Sequence, residues 1–312
     1  MRILVVGAGA VGGYYGGRLL QVGRDVTFLL RDGRAAQIRE RGLNLVSPRG
    51  DVSLQPPIVS AEQLRGSGER YDLILVSTKS YALDAAIEDF APAVGPGSLV
   101  MPLLNGMRHL DHLDARFGRE HVLGGTVRIM AEVLPNGDVW QHNPLDELTF
   151  GFRPHSAATT ARSAQIREAL TVFGFSTIES PDVIGAMWQK WWFLAAIGTT
   201  CLLAGGSLGE ARRSPGGDLF TRAVLDECMA VAAANGFPPL PSLVEEMRER
   251  FGDPESTMTS SLYRDMNAGA AVESDQILGD FIRRANGTDV PLLRAAYVRL
   301  KVYEAQRDAA RS

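Results

Sequence analysis

The chain of 312 residues is longer than most single domains, so two domains are the first expectation. Its 45% hydrophobic and 22% charged residues are typical of a globular protein, and a net charge of −4 argues against the concentrated basic surface that nucleic acids require. No apolar stretch is both long and glycine-poor enough to cross a bilayer. We therefore expect a small-molecule ligand, with no nucleic acid and no membrane as partner.

The cysteines favour a reducing compartment. Cys201 and Cys228 are too few for a disulfide framework, and their surroundings lack the spacing of metal ligands. The apolar start of the chain runs into glycines instead of continuing as a signal peptide. These features predict a cytoplasmic protein with no metal site.

The first half of the chain alternates predicted strands and helices. Residues 2–6 are an apolar, β-branched run that is typical of a strand buried on both faces of a parallel sheet. A helix is expected from about Gly12 to Val22. Further strands are predicted over residues 25–30, 71–76 and 97–103. This alternation is the doubly wound α/β pattern.

The strand pattern changes further along the chain. Turn signals between residues 122 and 152 predict antiparallel hairpins at the edge of the sheet, and residues 159–180 hold one helix and one short strand. From Pro181 onward strand signals vanish. We predict an α/β domain over residues 1–180 and an all-helical domain over residues 181–312.

A glycine-rich motif connects the first strand to the first helix. It reads Gly7-Ala8-Gly9-Ala10-Val11-Gly12. The first glycine allows a tight turn, the second allows the backbone to approach a pyrophosphate, and the third allows close packing of the helix on the strand. With these flanks the motif predicts a Rossmann domain whose residues 7–12 bind a dinucleotide.

The end of the second strand indicates which dinucleotide is bound. An acidic side chain there would bind the ribose 2′-hydroxyl of NAD, whereas an arginine would bind the 2′-phosphate of NADP. The strand ends in Leu30-Arg31-Asp32. Arg31 favours NADPH, and Asp32 leaves NAD as an alternative. FAD is disfavoured because the chain shows no second flavin-binding segment.

Polar residues follow two later strands. Lys79 comes after the strand at residues 71–76, and Asn105-Gly106 follows the strand at residues 97–103. The carboxyl ends of the strands of an open α/β sheet are where ligands bind. Singly, these residues are typical of turns. Together with the glycine loop they predict a cleft.

One lysine lies within an aromatic helical segment, Trp188-Gln189-Lys190-Trp191-Trp192-Phe193. Partial desolvation of its ammonium would suit Lys190 to proton donation near neutral pH. Alternatively, Lys190 extends to solvent while the tryptophans pack the core. The tryptophans themselves fit either a core or the face of a homodimer.

Several motifs in this order resemble the ketopantoate reductase family over nearly the whole chain. They are the glycine motif, Arg31, Ser77-Thr78-Lys79, Asn105-Gly106, Trp188-Gln189-Lys190, Ser260-Ser261 with Asp265, Glu273, Gly279, Gly287, Val290-Pro291 and Tyr303-Glu304. The resemblance implies a Rossmann domain, a helical domain and an active site between them that reduces a 2-oxo acid to a 2-hydroxy acid with NADPH, as 2-dehydropantoate 2-reductase does in pantothenate biosynthesis.

The resemblance also implies roles by position. These are Lys190 as general acid, Glu273 as its supporting carboxylate, Lys79 and Asn105 as cofactor- and substrate-side contacts, Arg31 as 2′-phosphate ligand and Ser261 as substrate hydrogen-bond donor. A hydride delivered to a ketone leaves an alkoxide that needs a nearby proton and positive charge, so these roles are chemically coherent.

The chain departs from the family pattern beyond the lysine. Two substrate-binding asparagines are expected one and two helical turns after Lys190, where this sequence has Leu194 and Gly198. This departure concerns the substrate and leaves the predicted reaction unchanged. Alternatives are a bulkier or more apolar 2-oxo acid, a 3-hydroxy acid, or a non-catalytic NADPH sensor, although a sensor would need neither Lys190 nor Glu273.

Overall fold

The computed structural model describes residues 1–154 and 160–310. The chain divides into two compact units. The first comprises Met1–Leu104 and His109–Ala186, and the second comprises Asn105–Arg108 and Met187–Ser312. Thr159, where the predicted segment 159–180 starts, lies outside the described residues.

The described strands and helices are as follows. The strands are β1 (Arg2–Val6), β2 (Asp25–Leu29), β3 (Leu43–Val46), β4 (Val52–Leu54), β5 (Ile58–Val59), β6 (Leu73–Val76), β7 (Leu99–Pro102), β8 (Gly124–Val133), β9 (Val139–Gly151) and β10 (Ser176–Glu179). The helices are α1 (Ala10–Gln21), α2 (Asp32–Arg41), α3 (Ala61–Ser67), α4 (Leu83–Phe90), α5 (Arg108–Phe117), α6 (Thr160–Leu170), α7 (Val183–Ala204), α8 (Leu208–Arg213), α9 (Gly217–Ala234), α10 (Pro241–Gly252), α11 (Ser261–Asn267), α12 (Asp280–Arg283) and α13 (Pro291–Ala309). Short 3₁₀ turns occupy Ser80–Ala82, Ala91–Ala93 and Arg119–His121, and a π-helical turn occupies Asp275–Gly279.

The first unit contains the predicted parallel sheet, with strand order β5-β2-β1-β6-β7. β1 pairs in parallel with both β2 and β6, and its residues Ile3–Val6 are buried. The chain builds one half of the sheet from β1 outward and then returns to add β6 on the other side. The order therefore reverses between β1 and β6, which is where ligands of such sheets bind.

The hairpin predicted at the edge of this sheet is instead part of a second sheet. β8 and β9 pair with each other in antiparallel fashion, and β9 also pairs in parallel with β3 and β10. The predicted edge position holds only just before β8, where Val122 forms a parallel bridge with Val100 of the edge strand β7. Local turn signals could not indicate the second sheet. The partners of β9 come from segments that are distant in the sequence, and these pairings complete a sheet of order β10-β9-β3-β4 with β8 beside β9.

Helix α1 packs closely against strands of both sheets. A Cβ on Gly13 would lie 2.9 Å from a methyl carbon of Val139 in β9, and one on Gly16 would lie 2.6 Å from the Phe28 ring in β2. Both positions are fully covered, so glycine is what permits this approach. The helix that follows the glycine motif is thereby fixed from two sides.

The second unit is helical, as the sequence predicted. Trp188, Trp191 and Trp192 are buried, with at most 3% of their surface exposed, which favours the core alternative over a dimer face. Trp188 stacks on Phe237 with ring centroids 5.4 Å apart, and Trp191 meets Phe281 edge to face at 5.0 Å.

Among residues 1–154 and 160–310, no helix combines the length and the apolar character that a membrane crossing needs.

Candidate active site

The glycine motif has the geometry of a dinucleotide cradle. Gly7 adopts φ +92°, a left-handed conformation that favours glycine, and Gly9 directly precedes the first residue of α1. A Cβ on Gly9 would have no neighbouring atom within 4 Å, so the space beside it is open. The first N–H groups of α1 lack partners within the helix, and its first turn carries no acidic residue. These features fit a pyrophosphate group.

Two side chains hold this loop in place. The Ser77 hydroxyl lies 3.0 Å from the Val6 carbonyl oxygen and 3.1 Å from that of Gly7, and can donate to either. Arg34 donates from Nε to the Ala8 carbonyl at 3.0 Å and from Nη1 to the Gly137 carbonyl at 2.9 Å. Burial lowers the pKa of Arg34. Sequence reasoning missed Arg34, and its only signal was a second arginine near Arg31.

The predicted cofactor residues Arg31 and Lys79 are both exposed in the first unit. Arg31 is the residue before α2, and Asp32 is the first residue of that helix. Lys79 directly follows Ser77 and Thr78 in the sequence. Thr78 lies beside Gly7, since a Cβ on Gly7 would be 3.5 Å from Thr78 Cγ2. The loop after β6 therefore adjoins the glycine loop at the predicted edge of the sheet.

In the second unit the structure brings together two residues that were predicted separately from the sequence as site residues. The Lys190 ammonium donates a hydrogen bond to Asn105 Oδ1 at 2.8 Å. Both side chains are half-buried. Lys190 lies on α7, whereas Asn105 belongs to the short segment Asn105–Arg108 that groups with the helices. An ammonium group that is oriented by an amide oxygen in a half-buried position can donate a proton to a ligand.

Glu273 and Ser261 lie in the same unit. Glu273 is buried with 7% of its surface exposed, and only Ser274 separates it from the π-helical turn. Ser261 is half-buried and begins α11, while the neighbouring Ser260 caps that helix by accepting the Tyr263 N–H at 3.1 Å. Ser260 thus caps the helix and leaves the Ser261 hydroxyl outside the cap.

The helix face beyond Lys190 is apolar at the two positions singled out in the sequence. Leu194 is half-buried and Gly198 is buried. A Cβ on Gly198 would lie 3.3 Å from Leu262 Cδ1 of α11. This face therefore presents aliphatic groups where the family pattern has amides.

Comparison with known proteins agrees with the fold. The family model "Ketopantoate reductase PanE/ApbA" matches residues 3–155, and "Ketopantoate reductase PanE/ApbA C terminal" matches residues 182–304. The "Uncharacterized oxidoreductase YkpB" of Bacillus subtilis is 34% identical over 309 residues, covering 98% of this chain and 100% of the relative. The "2-dehydropantoate 2-reductase" of Halobacterium salinarum is 30% identical over 316 residues, covering 99% and 100%.

Solved structures give the same picture. A PanE/ApbA family ketopantoate reductase from Ralstonia eutropha superimposes with a TM-score of 0.85 at 26% identity, covering 99% of this chain and 100% of that one. A D-mandelate dehydrogenase in complex with NADH and anilino(oxo)acetate gives a TM-score of 0.86 over the same shares at 21% identity, which is a likeness of fold alone.

These findings define the class of protein as an oxidoreductase that acts on a keto or hydroxyl group. Both halves of the chain match the same family, and the match spans nearly all of its length. The chain belongs to the ketopantoate reductase family.

Proposed function

We propose that this protein reduces a 2-oxo acid to a 2-hydroxy acid with NADPH, binding the cofactor through residues 1–180 and donating the proton from residues 181–312. The observation that carries the proposal is the 2.8 Å hydrogen bond between Lys190 and Asn105. It connects a proton donor with an amide in a half-buried position, and both residues match the family pattern. Family membership supports the same reaction class.

Lys190 would act as the general acid. Bound NADPH would supply the hydride that converts the ketone carbon to an alcohol. The ammonium of Lys190 stabilises the negative charge that develops on the ketone oxygen and then transfers a proton to it. Asn105 would orient the ammonium through its Oδ1. Glu273, which is buried in the same unit, is the carboxylate that the family resemblance assigns to support it.

The proportions of lysine and arginine in the chain support a specific need for lysine at position 190. Of its 32 lysine and arginine residues, only Lys79, Lys190 and Lys301 are lysines. An arginine guanidinium stays charged at all physiological pH values, whereas a lysine ammonium can release a proton. A chain that uses arginine almost everywhere else has lysine at the position where a proton donor is proposed.

NADPH is proposed over NADH because of Arg31. Its exposed position directly before α2 leaves the guanidinium available to a 2′-phosphate. Asp32 is also exposed and keeps NADH as the competing cofactor. NADH is the cofactor in the D-mandelate dehydrogenase complex, so this fold accommodates NADH.

The proposed substrate is a 2-oxo acid more apolar than ketopantoate. Leu194 and Gly198 offer no hydrogen bond on the helix face beyond Lys190, and Leu262 adds a further aliphatic group beside Gly198. A hydroxyl of the substrate placed against this face would be left unpaired, which is costly when water is excluded. A substrate that carries an aliphatic or aromatic group at this position would leave no polar group unpaired.

The experiment that tests the function follows NADPH oxidation with a panel of 2-oxo acids. The panel includes ketopantoate, branched aliphatic acids and phenyl-substituted acids, each also measured with NADH. We expect turnover of at least one acid, with the more apolar acids preferred. If NADPH bound tightly but no acid in the panel were reduced, a non-catalytic NADPH-binding role would replace the 2-oxo acid reductase.

A further inference from the structure

Asn105 is held from a second direction by a residue to which no role has been assigned. Gln276 donates from Nε2 to the Asn105 carbonyl oxygen at 2.6 Å, while Lys190 donates to Oδ1 of the same asparagine at 2.8 Å. Gln276 is buried, with 4% of its surface exposed. We propose that Gln276 is a positioning residue that fixes Asn105 for its contact with Lys190. This inference rests on the proposed function.

The main chain of the two segments is in contact as well. Gly106 adopts φ +74°, and a Cβ at this position would lie 2.5 Å from the Gln276 carbonyl oxygen. Any other residue there would push the two segments apart. Gly106 therefore lets the Asn105 backbone approach the Gln276 backbone closely enough for the side-chain hydrogen bond to form.

The π-helical turn places Gln276 where it can make this bond. A π turn inserts an extra residue into a helix and redirects the side chains around it. The turn is attached to α7 because the Trp191 indole donates to the Ile277 carbonyl at 2.9 Å. Trp191 is the neighbour of Lys190, so the helix that carries the lysine and the turn that holds Asn105 are fixed to each other.

The contact with the Asn105 carbonyl requires an N–H donor on a side chain of this length. A backbone carbonyl accepts hydrogen bonds and would repel a carboxylate oxygen. Methionine has nearly the same length as glutamine but provides no donor. If the bond is lost, Asn105 can move relative to Lys190, and small misplacements of catalytic groups lower rates strongly.

The test compares Gln276→Met with a matched control, Gln189→Met. Gln189 is the residue before Lys190, but its amide bonds to Pro238, Leu240 and the Trp192 indole and not to Asn105. At saturating substrate and NADPH, we expect kcat of Gln276→Met to fall about 10-fold, with the NADPH dissociation constant unchanged. Gln189→Met should retain kcat within about twofold. In the cofactor-free protein, amide exchange of the segment 105–108 should be faster in Gln276→Met only.

Two further variants separate positioning from general stability. Gln276→Met should add no loss to an Asn105→Ala variant, because a residue that acts through Asn105 has nothing left to position. Gln276→Glu keeps the shape of glutamine, and its kcat relative to the wild type should rise as the pH falls, since the protonated carboxyl regains a donor.

Wild-type kcat in Gln276→Met, or losses that simply add in the double variant, would overturn the positioning role. If the wild-type enzyme reduced none of the acids, the proposed function would fail separately. Amide exchange at 105–108 would then decide by itself whether Gln276 holds Asn105, and unchanged exchange would refute it.

Discussion

Gly12 and Ser77 lie so close together that a Cβ on Gly12 would fall 2.0 Å from the Ser77 hydroxyl oxygen and 2.2 Å from the Gly7 carbonyl oxygen. The start of α1 is thus in contact with the loop after β6. Overpacking at such a position costs about 1–3 kcal/mol. We expect Gly12→Ala to lower the free energy of unfolding by this amount and to weaken NADPH binding, as measured by urea unfolding and fluorescence titration.

Gly9→Ala is the matched control for this prediction. A Cβ on Gly9 would have no neighbour within 4 Å, and Gly9 has an ordinary φ of −75°. Stability should therefore change by less than about 1 kcal/mol. NADPH affinity should still fall, because the methyl group occupies the space that the pyrophosphate needs. Wild-type NADPH affinity in Gly9→Ala would contradict the predicted cradle.

Arg31→Ala should weaken NADPH binding and leave NADH binding unchanged. A charged hydrogen bond to the 2′-phosphate contributes about 1.5–3 kcal/mol, which corresponds to roughly 10–100-fold in affinity. Arg39→Ala, at an exposed position in the last turn of the same helix, serves as the control and should bind both cofactors as the wild type does. Equal affinity of the wild type for NADPH and NADH would contradict the role of Arg31.

Lys190→Ala should bind NADPH normally and turn over about 10²–10⁴-fold more slowly, the usual contribution of a positioned general acid. Lys190→Arg should be similarly slow, since a guanidinium keeps the charge but does not release its proton. Steady-state kinetics with the best substrate measure both. Turnover within a few-fold of the wild type would mean that another group donates the proton.

The double variant Leu194→Asn, Gly198→Asn should raise kcat/KM for ketopantoate. Each restored hydrogen bond contributes about 0.5–1.5 kcal/mol, or roughly 2- to 12-fold. The asparagine introduced in place of Gly198 has to displace Leu262 Cδ1, which is the end of a flexible side chain, so Leu194→Asn alone is the cleaner half of the test. A wild-type enzyme that preferred ketopantoate to every other acid would show that other side chains already bind it.

The stability of the second unit should depend on pH through Asp275. Burial raises the pKa of this carboxyl, but the Tyr297 hydroxyl and the Lys301 ammonium outweigh it, so its pKa lies below the ordinary value of 3.8. A depressed pKa stabilises the fold above the unfolded value, and this contribution is lost as the pH falls through the folded value.

Tyr297→Phe removes the hydroxyl that bonds to Asp275. Its destabilisation, measured by urea unfolding, should be largest near neutral pH. It should begin to shrink as the pH falls below the ordinary carboxyl pKa of about 4 and should be lost only when the pH falls through the lower pKa of folded Asp275. Tyr303→Phe removes a hydroxyl that bonds to the Ala270 carbonyl at 2.7 Å, so its effect should not change over the same range. Identical pH dependence in the two variants would exclude Asp275 as the cause.

The local signals in the sequence were sufficient for the doubly wound sheet and the glycine motif. The strands β1, β6 and β7 of that sheet are apolar and almost wholly buried, and the motif combines a left-handed turn with a helix start within a few residues. The second sheet was not predictable in the same way. It joins β9 to β3 and β10, which are distant from β9 in the sequence, and no local turn or periodicity signal indicates such a partnership.

The candidate site shows the same difference. Lys190 and Asn105 were each identified by type and position, but their 2.8 Å contact joins residues that are 85 positions apart. Arg34 and Gln276 were not identified because their roles depend on backbone carbonyls, which carry no signature in the amino-acid sequence. The family resemblance supplied Glu273 and Ser261, whose direct roles stay predictions.

The burial of three neighbouring tryptophans provides an optical reporter of one part of the molecule. Of the four tryptophans in the chain, only Trp140 lies in the first unit, where 39% of its surface is exposed on β9. In a Trp140→Phe protein, all indole emission would come from the helical unit. The unfolding transition seen as a red shift of this emission could then be compared with the transition seen as loss of the strand signal in circular dichroism. Coincident transitions would mean that the two units unfold in one step, and separate transitions that they unfold in two.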